Sequence, residues 1–222
     1  MRVTVQETDL SVYGHRVDAG DIRDTVIVQR GYLENYIRLF PAFAKTLEPW
    51  PEDFLAPAIV QDMIRAGRKA GVGPMAAVAG AIAERVGTDL LQRTDEIIIE
   101  NGGDIFIKTS HPLTVGVYAG HSPLSMKIGI EIEPSEKPQA VCTSSGSVGP
   151  SLSKGRADAV CVMGPDCSLA DAAATAIANR VSTVLDVQPA IQWGRAIEGV
   201  EGILVIMAGK VGMWGQLQVK PV

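Results

Sequence analysis

Hydrophobic and polar positions along the chain follow two periods, which predict helices and strands in separate stretches. Residues 2–13 alternate with a period of two and predict a strand or hairpin at a sheet edge. Apolar residues recur at near-helical spacing over 20–47, where Pro41 is expected to kink or split the helix. Further helices are predicted over 57–71 and 75–91, each bounded by proline or glycine.

Short apolar runs in the second half of the chain predict strands, several of them in hairpins. The turn Asn101-Gly102-Gly103-Asp104 between two apolar runs is a strong hairpin signal. These elements together predict an α+β fold, with helices packed against a mainly antiparallel sheet. The remaining predicted elements are strands at 114–118, 127–132, 139–142 and 159–163, a helix from Ser168 to about 181, a short apolar segment at 191–193, and a closing hairpin of 203–207 and 212–219.

Two alanine-rich stretches suggest an internal duplication. Residues 75–86 align with residues 170–181, and seven of the twelve positions are identical. Because both stretches are rich in alanine, the number of identical positions is inflated, and the duplication is weak evidence. Two such small-faced helices could pack against each other as matched halves, and no stretch resembles a linker. The expectation is one domain over residues 1–222 with a pseudo-duplicated helix and strand unit.

Composition narrows the classes of function. A net charge of −5 and a pI near 5.2 give no electrostatic footprint for nucleic acid or an anionic membrane. Three cysteines without CxxC spacing argue against a disulfide scaffold or a zinc site. No apolar run approaches the roughly 18 residues of a membrane span, and the alternating start is unlike a signal peptide. We expect a cytoplasmic protein with a small-molecule ligand.

The stretch over 142–181 carries most of the candidate chemistry. It opens with small hydroxyl residues and glycines and continues into the alanine-rich helix. On that helix Asp171 and Thr175 lie one turn apart, and their oxygens suit a hard cation such as Mg²⁺. The alternative is that Ser168-x-x-Asp171 is a capping-box variant that only serves the helix N-terminus.

Other motifs also allow two interpretations. The NGGD turn is either plain turn chemistry or a place where a ligand touches backbone. The glycine turn at 71–74 either receives a phosphate at a helix N-terminus or simply connects two helices. A loop serine could be a nucleophile with Lys154 as its base. Cys142 is either a reactive thiol or a small buried hydrophobe. Either one of His111 and His121 faces the cleft, or both are loop histidines exposed to water, which is the expectation.

These segments together resemble the ApbE-like superfamily, whose best-known members are FAD:protein FMN transferases. Asn101-Gly102-Gly103-Asp104-Ile105 is similar to its NxGGDI segment, and Ala170–Ala176 is similar to its ADALATA segment. Thr143-Ser144-Ser145-Gly146 is similar to the SG segment between the two. The full pattern covers most of the chain and resembles a separate, poorly characterised branch.

The resemblance implies a ligand cleft and a metal site. In the transferases the NxGGDI turn lies beside the flavin dinucleotide. The Asp and Thr of the ADALATA segment bind Mg²⁺ beside the pyrophosphate, which points to Asp171 and Thr175. With the hydroxyl-rich loop, the expected ligand-binding residues are Asn101, Gly102, Gly103, Asp104, Thr143, Ser144, Ser145, Gly146, Ser151 and Ser153.

The sequence also departs from the transferase pattern. Transferases carry a His-x-x-Asp-Pro-x-Thr-Gly element after the SG segment, but residues 149–155 contain neither histidine nor aspartate. Ala79-Gly80 stands where transferases have a Lys-Gly pair. The aspartate that would deprotonate a target threonine is therefore missing, and flavin transfer by the usual route is not expected.

Three functions remain open at this point. The first is an ApbE-like enzyme that acts on a small metabolite and uses FAD, FMN or a nucleotide, with Mg²⁺. The resemblance to relatives of this branch implies a role in sulfur incorporation into homocysteine in anaerobes. The second is a non-catalytic flavin or nucleotide binder. The third is an atypical FMN transferase with rearranged groups. A small-residue core and edge strands leave room for a homodimer.

Overall fold

An antiparallel eight-stranded sheet separates two layers of packed side chains. The structure is a computed structural model that describes residues 1–146 and 155–222. The strand order is β1-β2-β3-β4-β7-β8-β9-β10, and a second sheet has the order β11-β6-β5. The strands are β1 (Arg2–Val5), β2 (Thr8–Gly14), β3 (Ile97–Asn101), β4 (Asp104–Lys108), β5 (Leu113–Gly116), β6 (Ile128–Ile132), β7 (Gln139–Ser144), β8 (Ala159–Gly164), β9 (Gly202–Met207), β10 (Lys210–Gly215) and β11 (Gln218–Pro221).

The helices lie on one face of the large sheet, as the α+β prediction requires. Their apolar side chains share one core with the strand residues that point to that face, among them Ile99, Phe106 and Val162. The three-stranded sheet covers part of the opposite face, where Ile130 and Leu204 belong to a second core. The helices are α1 (Ala19–Leu39), α2 (Ala58–Ala70), α3 (Val78–Leu90), α4 (Cys167–Ala178) and α5 (Val187–Gly194).

Local sequence signals account for the ends of the first two helices. Asp18 caps α1 by accepting hydrogen bonds from the backbone N–H groups of the first turn. Pro41 starts a separate short 3₁₀ helix, so the predicted break is confirmed. Gly71 ends α2 with a φ of 68°, the left-handed conformation that glycine adopts without a steric penalty.

The two alanine-rich helices pack directly against each other, as the repeat suggested. A Cβ added to Gly80 on α3 would lie 2.3 Å from the carbonyl oxygen of Cys167 on α4. All twelve residues of α4 are buried. The small side chains therefore bring the two helix backbones into close contact above the middle of the sheet.

Near the C-terminus the structure assigns one apolar segment to a helix and contradicts one strand prediction. The apolar segment at 191–193 belongs to helix α5, whose buried residues Val187, Ala190, Ile191 and Gly194 have helical spacing. The predicted strand 212–219 is two strands in different sheets. Gly215, with a φ of 90°, ends β10, and β11 then pairs with β6. Within the described residues, none of the helices combines the length and apolarity of a membrane span.

Candidate functional site

The NGGD turn places two polar side chains together at the edge of a cavity. Asn101 and Asp104 are directly opposite each other in the β3–β4 ladder. Gly102 and Gly103 form the turn with φ values of 65° and 108°, which favour glycine. Both flanking side chains are buried, with 7% and 6% of their surface exposed. The segment is therefore a tight turn, and it also presents buried polar groups.

Asn101 and Asp104 differ in how their hydrogen-bonding groups are satisfied. The Asn101 Nδ2 donates to the carbonyl oxygen of Ala79 at the start of α3, at 3.0 Å. The Oδ1 atom of Asp104 is buried and has no hydrogen-bond partner in the described part of the chain. A buried acceptor without a donor is costly, and native proteins retain such groups mainly at functional positions. The Nε of Arg30, which lines the same cavity, is the other buried atom without a partner among the described residues, so both side chains are candidates for a ligand contact.

Burial sets the protonation of Asp104. It raises the pKa of this carboxyl to about 7, against smaller effects of the Cys142 thiol and the Thr143 N–H, which lower it. Asp104 thus titrates near neutral pH, which is the range where a carboxyl can accept or release a proton during a reaction.

Asp171 completes a pair of buried carboxyls with Asp104. Its Oδ2 accepts a hydrogen bond from the backbone N–H of Gly80 at 2.9 Å. Burial first, and then the charge of Asp104, raise the pKa of Asp171, while the N–H groups of Gly80 and Ala79 lower it. Two buried carboxyls whose charges interact can hold a shared proton or attract a cation. Thr175, also buried, follows one turn later on α4.

The helix ends around this pair are capped differently from the sequence prediction. The N-cap of α4 is Asp166, which accepts from the N–H of Leu169 at 2.8 Å. Ser168 lies inside the helix and donates from Oγ to the Glu84 carboxylate at 2.8 Å. The capping-box interpretation of Ser168 and Asp171 was therefore wrong, since Asp171 serves the first turn of α3 instead.

The hydrogen bond between Gly80 and Asp171 also bears on the role of the glycine turn at 71–74, before α3. The N–H of Gly80 already donates to Asp171, so it is not free for a phosphate. A Cβ at Gly73 would lie 2.0 Å from the carbonyl oxygen of Thr46, so this glycine is needed for a close backbone approach. The turn acts as a packed connection between α2 and α3.

A cavity of about 790 Å³ opens beside the NGGD turn. Its apolar wall comes from α1 and from the segment that leads into α3, and its polar rim comes from the β1–β2 hairpin and β3. Sequence reasoning missed the contribution of α1 and the hairpin, because no motif marks it. The residues around the cavity are Arg2, Glu7, Thr8, Asp9, Ser11, Arg30, Leu33, Glu34, Ile37, Met75, Val78, Ala79, Ile82, Glu100, Asn101, Gly102 and Asp104.

The charges around the cavity are mainly acidic. Five acidic side chains and two arginines line it. Arg30 is largely neutralised, because it pairs with Glu7 at 2.6 Å and with Glu34 at 2.8 Å, and Arg2 pairs with Asp9. The cavity therefore favours a ligand part that is neutral or donates hydrogen bonds, rather than a bare phosphate.

The predicted hydroxyl loop reaches the site only in part. The Thr143 Oγ1 donates to Cys161 at 3.3 Å, on the opposite face of the sheet from Asp104. Its backbone N–H donates to Gly103, so only its main chain adjoins the turn. Ser144 is buried at the end of β7. None of Thr143, Ser144, Ser145 and Gly146 lines the described cavity wall, and Ser151, Ser153 and Lys154 lie outside the described residues.

The remaining candidates are not part of the site. His111 and His121 are exposed and do not line the cavity. Among the described residues, no group of three or more His, Cys, Asp or Glu side chains is arranged to hold a metal ion. A cation at Asp104, Asp171 or Thr175 would therefore need ligands from water or from a bound molecule.

Comparisons with known proteins give consistent results. The family model described as AbpE bacteria matches residues 1–201. A UPF0280 protein of Methanosarcina acetivorans is 41% identical over 197 residues, which cover 88% of this chain and 78% of that protein. A UPF0280 protein of Methanosphaerula palustris is 44% identical over 201 residues, covering 88% and 81%.

Solved structures show the same fold at low sequence identity. The flavin transferase ApbE from Vibrio cholerae matches with a TM-score of 0.59 and 11% identity, over 96% of this chain and 95% of that one. The flavinyl transferase ApbE of Pseudomonas stutzeri, in its apo form, also has a TM-score of 0.59 and 11% identity, over 96% and 92%. At this identity the likeness establishes an ApbE-like fold and nothing about activity.

Proposed function

Because this chain belongs to the family described as AbpE bacteria, we propose that it binds a flavin or a related phosphorylated small molecule beside the NGGD turn. The ring or other uncharged part of the ligand enters the cavity between α1, α3 and β3. Its phosphate would lie toward Asp171 and Thr175, which would hold a Mg²⁺ ion that neutralises the phosphate charge. The family match confirms the expected resemblance to this branch of ApbE-like proteins. The ligand and its position are what we propose.

The buried Oδ1 atom of Asp104 is the observation that carries this proposal. Asp104 lines the cavity, and its buried Oδ1 lacks a donor within the described residues. A ligand N–H or O–H group at this position would satisfy it and remove the penalty of about 1–3 kcal/mol for a buried acceptor without a donor. Asn101 is held beside it by Ala79. The two side chains together orient one edge of a ligand ring.

The side-chain oxygens of Asp171, Thr175 and Asp104 are of the type that Mg²⁺ prefers. Mg²⁺ prefers oxygen ligands and usually takes one or two carboxylates, with waters and substrate phosphates completing its shell. Asp171 offers a carboxylate, Thr175 a hydroxyl, and Asp104 a second carboxylate whose charge already acts on Asp171. When bound, Mg²⁺ would supply charge neutralisation for a phosphate. Asp171 would then keep its N–H contact with Gly80 and hold the ion at α3.

Calorimetric titration tests this function. FAD, FMN and riboflavin are titrated into the protein with and without Mg²⁺. We expect binding of the phosphorylated flavins to require Mg²⁺ and to weaken by at least about tenfold, or about 1.4 kcal/mol, in Asp104→Asn and Asp171→Asn. The matched control is Asp95→Asn, at an exposed aspartate that does not line the cavity.

Different outcomes of this titration separate the alternatives. Equal binding by the control and the site variants would contradict the assignment of the site. Absence of a binding signal with all three flavins, in the presence of Mg²⁺, would contradict the hypothesis that the ligand is a flavin. In that case the nucleotides ATP and AMP test the wider class of phosphorylated ligands.

The pKa of Asp104 favours one catalytic alternative. A carboxyl that titrates at about 7 can take the proton of an attacking hydroxyl, so Asp104 could replace the missing aspartate of the transferase element. Incubation with FAD, Mg²⁺ and a threonine-containing acceptor peptide would then place FMN on the threonine hydroxyl and release AMP, and Asp104→Asn would abolish both. Unchanged FAD favours a binder instead. Roles in sulfur and homocysteine metabolism, a cytoplasmic location and a homodimer stay predictions.

A further inference from the structure

We propose that Cys142 and Cys167 form a reversible dithiol–disulfide pair beside the candidate site. Their Sγ atoms lie 3.5 Å apart, with both side chains fully buried. Cys142 is on β7, and Cys167 is the first residue of α4. The thiols thus bridge the sheet and the helix that carries Asp171.

The alternation of side chains between the two faces of the sheet selects this pair out of the three cysteines. Side chains on a strand alternate between its two faces. Cys142 points to the helix face of the sheet, where Cys167 belongs to the same core. Cys161, on the neighbouring strand β8, pairs in register with Thr143 and belongs to the core on the other face. The sheet itself therefore separates Cys161 from the other two thiols.

The position of the pair connects it to Asp104. Cys142 is the direct cross-strand neighbour of Asp104 in the β4–β7 ladder. Its Sγ donates to the carbonyl oxygen of Cys167 at 3.4 Å, and the thiol partly offsets the effect of burial on the pKa of the Asp104 carboxyl. A disulfide has no S–H to donate. Closing the pair therefore removes this thiol donor from the position beside Asp104 and ties β7 to the first turn of α4.

The chemistry balances with a small disulfide as the oxidant. One cysteine thiolate attacks a sulfur of glutathione disulfide and releases one glutathione, which forms a mixed disulfide. The second cysteine then attacks the protein sulfur and releases the other glutathione. Two electrons pass from the cysteines to glutathione. Burial raises the pKa of Cys142 well above the ordinary thiol value, so equilibrium rather than rate is the suitable readout.

The test is a redox equilibrium of the native protein. The full chain is brought to equilibrium in buffers of reduced and oxidised glutathione, quenched with acid, alkylated and mapped by mass spectrometry. We expect an intramolecular Cys142–Cys167 link, with Cys161 left as a free thiol. The effective concentration of the pair should exceed that of the same chain in urea by at least about tenfold, because the fold holds the sulfurs together.

Variants and outcomes make the assignment specific. Cys161→Ser is the matched control and should form the same link with an unchanged midpoint. Cys142→Ser should form no intramolecular link. A native chain that keeps three thiols at equilibrium, or that links Cys161 instead, would overturn the proposal. So would a native effective concentration no higher than that in urea. The wild-type map decides these points even if Cys142→Ser fails to fold.

Discussion

The carboxylate of Asp171 accepts the backbone N–H of Gly80 at 2.9 Å, although the two residues are 91 positions apart in the chain. The first turn of α3 is thus satisfied by a side chain from α4. Because the same carboxyl interacts with Asp104, packing of the two helices and the electrostatics of the candidate site depend on one contact. The predictions below separate these contributions.

The first prediction concerns Gly80. A Cβ at this position would overlap the Cys167 carbonyl oxygen at 2.3 Å and approach the Asp171 Cβ at 2.9 Å. Gly80→Ala should therefore lower the free energy of unfolding by about 1–3 kcal/mol or more, since backbone must move. Gly31→Ala is the control, because a Cβ there meets no atom within 4 Å. It should raise stability by about 0.5–1 kcal/mol. Urea unfolding measures both, and equal effects would contradict the close helix contact.

The second prediction is the pH dependence of stability. Burial raises the folded-state pKa values of Asp104, Asp171 and Glu84 above those of the unfolded chain. The folded chain binds these protons more tightly, so the stabilisation is complete below about pH 4 and is lost as pH rises through the folded pKa values. For Asp104, with a pKa near 7, the loss is on the order of 4 kcal/mol at most.

Urea unfolding between pH 5 and 8 checks this sign. In this window carboxyls with lowered pKa values, such as Asp9, stay ionised in both states and add no slope. We expect the free energy of unfolding to fall with pH, and Asp104→Asn to flatten the slope. Asp95→Asn should keep the wild-type slope. A stability that rises with pH would show that the buried carboxyls are not protonated in the folded chain.

The third prediction is that Mg²⁺ reverses this pH effect. A cation at Asp171 replaces the proton, so Mg²⁺ should stabilise the chain at pH 8 by about 2.7 kcal/mol at a hundredfold excess over Kd. Proton release on binding is measured by calorimetry in buffers with different ionisation enthalpies. Asp171→Asn should abolish both effects, while Asp24→Asn, at an exposed position of α1, should leave them unchanged. A wild-type response in Asp171→Asn would contradict the site.

The fourth prediction tests the cavity by filling it. Ile37 on α1 lines the cavity, so Ile37→Trp should weaken flavin binding by at least about tenfold, since the added ring occupies the ligand space. Ile27→Trp, at a half-exposed position of the same helix, is the matched control and should bind normally. Circular dichroism confirms that both variants fold. Unchanged binding in Ile37→Trp would place the ligand elsewhere.

Much of this fold was predictable because its signals are local. The NGGD hairpin, the break at Pro41 and the stop at Gly71 depend on residues close together in sequence, and all three were confirmed. The spacing of Asp171 and Thr175 correctly predicted that both lie on one helix. What the spacing could not show is that Asp171 caps a helix from the other half of the chain.

Other parts of the site had no sequence signal of this kind. The cavity wall formed by Leu33 and Ile37 looks like any apolar helix stripe, because its partner is a turn some 65 residues away. The orphaned oxygen of Asp104 depends on what surrounds it after folding. The hydrophobic pattern also failed to show the break at Gly215. The positive φ of this residue ends β10, and the following strand pairs in the second sheet.

Strand β9 has a practical consequence for anyone preparing this protein. It runs between β8 and β10 in the large sheet, and five of its six residues are buried. A fragment that stops at Glu201 would bare the edge of β8 and open both cores to water. Such a truncated product would be prone to aggregate, so expression, tagging and crystallisation trials should retain the last 21 residues of the printed sequence.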